Sequence, residues 1–145
     1  MVTWNSEKAS RICRERGGGA TFLQYQQVGQ GIAGAHSGMT AEGDNSVLMQ
    51  KVVKDLLTHH RKGKHVVPVI KKDALRQIAQ MDDVSNVTAM KTLIYLREQI
   101  EIKSMMKKLT ELVLEKGIKF YDVWMHMVSD DILSLSMAFG ERFFL

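Results

Sequence analysis

From Val87 to Val113 the chain repeats apolar side chains at steps of three and four, with no proline or glycine in the run. Val87, Met90, Leu93, Ile94, Leu96, Ile100, Met105, Leu109, Leu112 and Val113 fall on a drifting stripe that a helix can bury and a strand, with its period of two, cannot. The spacing predicts a long helix stopped at Gly117. Lys103, Lys107, Lys108 and Lys116 alternate there with Glu101, Glu111 and Glu115, which reads as a solvated face and not as a nucleic-acid stripe.

The same period recurs on both sides. Phe120, Val123, Trp124, Met127, Val128, Ile132, Leu135, Ala138, Phe139 and Phe143 predict one long helix, or two broken near Ser129-Asp130-Asp131. Upstream, Val47, Leu48, Val52, Val53, Leu56 and Leu57 predict a helix reaching about His60, with Gly63 and Pro68 beyond it. A shorter helix is expected from Lys72 to Met81, and residues 82–86 supply a turn and a cap. Trp4 to Arg16 is helix-compatible and is stopped by Gly17-Gly18-Gly19. Gly17 to Gly38 reads as a long loop or a short broken helix around Phe22 to Gly29, with Phe22, Tyr25, Val28 and Ile32 pointing inward. The fold class expected is all-α, an antiparallel helical bundle over 1–145 whose apolar faces pack on one another and leave room for a partner chain.

Composition narrows the functions. A chain of 145 residues, 45% hydrophobic and 25% charged with one proline, has the makeup of a folded protein and not of a disordered one. The net charge of +4 is spread along the chain, so no nucleic-acid partner is expected. Cys13 is the single cysteine; it excludes an internal disulfide, fits a reducing compartment and is expected to be a buried apolar residue. No stretch has the length and apolarity of a signal peptide or transmembrane segment, so the expectation is a soluble intracellular protein. The end Arg142-Phe143-Phe144-Leu145 is not a Ser-Lys-Leu address. His59 and His60 are adjacent and diverge on a helix, and His36, His65 and His126 lack ligand spacing, so no metal is expected.

Two short motifs carry chemistry. In MTAEGDNSVL, Thr40 is the expected helix cap, with Ser37 competing, and Glu42 and Asp44 suit the positive end of a helix dipole. Glu42 has two readings at this level: a first-turn carboxylate, or a partly desolvated base able to take a carbon-bound proton. Gly17-Gly18-Gly19 either stops a helix or offers backbone N–H groups to a phosphate, and it lacks the Gly-Lys-Ser/Thr of a Walker loop.

Together, WNSEKASRICRERGGG and GIAGAHSGMTAEGDNSVLMQKVVKDLL resemble the carboxyl-terminal helical region of the acyl-CoA oxidases, relatives of the acyl-CoA dehydrogenases. FYDVWMHMVSDDILSLSMAFGERF looks like that family's last helical segment. The resemblance implies an FAD-dependent enzyme of fatty-acid β-oxidation that converts acyl-CoA to trans-2-enoyl-CoA and forms hydrogen peroxide, with a peroxisomal location. It implies that Glu42 is the base that removes the α-proton, and that Gly18, Gly19, Gly43 and Asp44 lie near FAD, the glycine loop commonly across a subunit interface. Gly17 stands where the family commonly has cysteine and Thr21 where it has glycine; a Cβ at residue 21 is expected to crowd the loop. The family also has domains with no counterpart in this sequence. Acyl-CoA, a second copy and a full-length flavoprotein are therefore the expected partners, with an inactive protein-binding or structural bundle as the alternative.

Overall fold

The computed structural model describes residues 2–41, 43–65, 67–68, 70, 72–80 and 86–143. Helices account for nearly all of them and no strand occurs among them, so the all-α expectation holds. The helices are α1 (Val2–Arg16), α2 (Val28–Thr40), α3 (Asn45–Arg61), α4 (Lys72–Ala79), α5 (Val87–Leu109), the single turn α6 (Phe120–Asp122) and α7 (Ser129–Glu141). The chain forms two compact units, residues 1–48 and 49–145, with α3 running from the first into the second.

In the amino-terminal unit α1 and α2 make an antiparallel hairpin. Its direction is fixed by Glu7 approaching His36 at 3.9 Å and by Gly38 and Gly31 facing Thr3 and Ser10. The sequence led to a loop here because Gly29, Gly31, Gly34 and Gly38 each weaken a helix interior. Packing outweighs that propensity: a Cβ on Gly38 would lie 3.0 Å from the Thr3 methyl, so small residues let the two backbones approach. The expected inward anchors Phe22 and Tyr25 are instead 76% and 72% exposed, because they lie on short 3₁₀ turns, Gly18–Phe22 and Gln24–Gln26, outside the hairpin. Cys13 is likewise exposed, on a helix with no buried residue.

The carboxyl-terminal unit holds the main core. Val53, Leu56 and Leu57 of α3 meet Ile102 and Met105 of α5, Val123 and Trp124 after α6, and Ile132 and Leu135 of α7. Steps of three and four put the sets from α3, α5 and α7 each on one helical face. Asn86 caps α5, its side chain accepting from Thr88 N at 2.8 Å. The long apolar run does not stay α-helical to Gly117, since residues 110–115 form a turn of π-helix, and a second π turn spans 123–127. The break before α7 falls at Val128, whose φ of −125° leaves the helical region, one residue ahead of the Ser-Asp-Asp signal. Polar pairs between α5 and α7 descend one helix as they ascend the other: Arg97 with Glu141, Glu101 with Ser134, Lys108 with Asp131. The two helices are therefore antiparallel.

Leu135 is fully buried in this core. Leu135→Ala should cost about 2–5 kcal/mol in urea unfolding, whereas a loss near zero would mean that the core closes elsewhere.

Candidate functional site

Two turns of the amino-terminal unit carry the residues singled out by sequence. The first ends α1. Gly17 N–H donates to Cys13 O at 2.9 Å, and Gly18, at φ +63°, takes the left-handed conformation that closes a helix. Thr21 completes the turn, its Oγ1 lying 2.7 Å from Arg14 O and 2.8 Å from Gly18 O, so a carbonyl left free by the helix end accepts its hydroxyl. Its methyl fills the space beside residue 17: a Cβ built on Gly17 would lie 2.2 Å from Thr21 Cγ2. Gly17 and Thr21 thus form a matched pair, and Thr21 builds the turn that its Cβ was expected to crowd.

Beyond that pair the turn is open. A Cβ on Gly18 or Gly19 would meet nothing within 4 Å, so a ligand can approach both peptides closely. Phe22, Leu23 and Tyr25 stand exposed next to them, with the Arg14 guanidinium 5.5 Å from the Phe22 ring.

The second turn joins α2 to α3. Glu42 lies outside the described residues; its neighbours are clear. Thr40 is the last residue of α2 and does not cap α3. Asp44 does: its Oδ1 accepts from Ser46 N at 2.8 Å and weakly from Val47 N at 3.4 Å. A carboxylate with two helix N–H groups in reach binds them more strongly than a threonine hydroxyl would. Gly43 has φ +111° and donates to Thr40 O at 3.1 Å, a conformation that a side chain would strain. Asn45 Nδ2 donates to Thr3 Oγ1 at 3.0 Å, tying the start of α3 to the start of α1.

The structure does not bring the two turns together. Thr3 pairs with the second turn while the first turn follows Arg16, so they lie at opposite ends of the α1–α2 hairpin. The 13 residues of α2 separate them by about 20 Å at the helical rise.

The comparisons with known proteins bear on this unit. Residues 1–57 match the model of the family described as acyl-CoA oxidase, C-alpha1 domain. The amino-terminal segment is of the acyl-CoA oxidase family. No match was found among curated proteins or solved structures. The oxidase-family match takes in both turns and α3 as far as Leu57, and it does not extend over residues 58–145. No described helix is long and apolar enough to cross a membrane, and no group of three or more metal-ligating side chains occurs among the described residues.

A charged cluster in the carboxyl-terminal unit escaped the sequence reading. Glu98 has no solvent exposure; its Oε1 lies 2.8 Å from His65 Nε2, and Arg142 Nε lies 3.4 Å from its Oε2. Oε2 accepts no hydrogen bond from the described residues. Burial raises the Glu98 carboxyl above its ordinary range, opposed by Arg142 and His60. Burial also lowers His65, helped by the positive charges of Arg142, His60 and His59. His65 and Glu98 thus share a hydrogen bond, while Arg142 sets a positive charge beside the carboxyl and lies over the Phe139 and Phe143 rings, each 5.2 Å away. The signal was legible, since Glu98 sits one helical turn from both Ile94 and Ile102 on the apolar stripe.

Two predictions follow from these contacts. Gly17→Cys should destabilise the protein in thermal unfolding, and Thr21→Gly on the same chain should recover most of the loss; equal losses in both backgrounds would dissolve the pair. A histidine held below its unfolded value keeps the folded state neutral, so its contribution is complete above about pH 6.5 and lost as pH falls through and below it. The stability difference between the natural chain and His65→Gln should therefore shrink from about pH 8 to about pH 5. A constant difference would show that His65 does not titrate with folding.

Proposed function

We propose that this chain supplies part of a flavin-dependent acyl-CoA oxidase site, acting in fatty-acid β-oxidation in the peroxisome. The observation that carries the reading is the family match over 1–57, which includes both the open glycine turn and the Glu-Gly-Asp-Asn turn. The residues at the first turn fit FAD as one wall of a site: Gly18 and Gly19 leave room for close backbone approach, and exposed aromatics flank them. When bound, FAD supplies the acceptor for the hydride leaving the acyl β-carbon.

The chain's own share is position and proton transfer. Gly18 and Gly19 hold the cofactor by their peptides. Gly43, with no side chain and a positive φ, lets the second turn approach the flavin. The Glu42 carboxylate accepts the proton from the carbon next to the thioester. Asp44 keeps the start of α3 in place with the oxygen that caps it. Because the two turns lie at opposite ends of one hairpin, a second copy or a full-length flavoprotein of the family completes each site.

The test is flavin absorbance after incubation with FAD and gel filtration, alone and with a full-length family flavoprotein, followed by a peroxide assay with an acyl-CoA. Retained flavin and peroxide are expected. Gly19→Val should reduce retention, and Glu42→Gln should keep flavin while peroxide formation falls by about 10²-fold or more. Full activity in Glu42→Gln, or no flavin in either setting, contradicts the reading.

A further inference from the structure

We propose that a groove between α3, the end of α5 and the turn after α6 binds a single-chain amphiphile with an anionic head group. The groove encloses about 330 Å³ and lies wholly within the carboxyl-terminal unit. Leu57, Leu109, Val113 and Trp124 wall it. That volume is at the lower end of small-molecule pockets, which suits one apolar tail better than a partner helix.

The backbone is irregular where the groove forms. The π turn at 110–115 contributes Thr110, Val113 and Leu114, and the π turn at 123–127 contributes Trp124. Such turns interrupt regular helical hydrogen bonding and are frequent at functional sites. Leu114 is 77% exposed, and Phe120, stacked on Trp124 at 5.4 Å, is half exposed. Both therefore add apolar surface to the groove that solvent still reaches.

The charge of the rim selects the head group. Lys54 and Arg61 line the groove from one face of α3, with Thr58 between them, and no acidic side chain is among its described lining residues. Two cations beside an apolar recess favour a carboxylate or another anion attached to a tail over a neutral or cationic head. This inference does not depend on flavin binding, because no residue of either amino-terminal turn lines the groove.

The experiment uses the chain carrying Trp4→Phe, which leaves Trp124 as the only tryptophan. Decanoate, decanol and decyltrimethylammonium are titrated while Trp124 emission is followed. A saturable change with decanoate is expected, weaker with decanol and weakest with the cation. Lys54→Glu with Arg61→Glu should weaken decanoate roughly tenfold, as reversing two exposed charges would. Thr110→Phe changes an exposed lining residue, so circular dichroism should be unchanged while binding of all three probes is lost. Equal binding of the cationic probe, a response that never saturates, or full binding in Thr110→Phe overturns the proposal. So does Trp124 emission that changes with protein concentration alone, because a second copy would then fill the groove.

Discussion

The carboxyl-terminal unit depends on a carboxylate that has lost all contact with water. Glu98 lies inside the interface of α5 with α7, where an isolated charge would be costly, and His65 and Arg142 converge on it. Sliding α7 by one turn would carry Arg142 away and leave Glu98 with His65 as its one remaining partner among the described residues. The apolar residues supply the driving force for packing and tolerate several registers; the buried polar cluster accepts one. The partly exposed pairs Arg97–Glu141 and Lys108–Asp131 agree with that register and, being open to solvent, add less energy than a buried pair would.

The amino-terminal unit is built on a different principle. Ala35 is the one buried residue among those described up to Leu48, so the hairpin rests on close backbone approach through glycine and on local hydrogen bonds. Its large apolar side chains, Phe22, Leu23 and Tyr25 among them, face outward. A helix pair with so little core of its own is marginal in isolation. The oxidase-family match covers this unit and runs on to residue 57, and the function proposed above would turn its outward apolar surface toward a flavin and a further polypeptide.

Periodicity made the helices of the carboxyl-terminal unit legible, because Val53, Leu56, Ile102, Ile132 and Leu135 repeat at helical steps and are buried together. It did not reveal α2, since four glycines hide a helix whose stability comes from Thr3 and Ser10 across the hairpin. The cap was assigned to Thr40 because hydroxyl residues commonly start helices; the structure gives that place to Asp44, four residues later, because α2 continues through Thr40. Glu98 was not singled out because the apolar stripe was traced from Ile94 through Leu96 and Ile100 to Met105, which bypasses the line from Ile94 to Ile102 on which the acid lies. The pairing of Gly17 with Thr21 depends on a contact four residues apart within a turn, which composition cannot show.

Under the proposed function, the glycine turn and the Glu-Gly-Asp-Asn turn face a flavin completed from outside the chain. Amide hydrogen exchange, followed with and without saturating FAD in the presence of a full-length family flavoprotein, tests it most directly. Slowed exchange is expected at residues 18–22 and 43–48, at both ends of the hairpin, with α7 unchanged. Protection that misses both turns, or that appears equally over the whole chain, would contradict it.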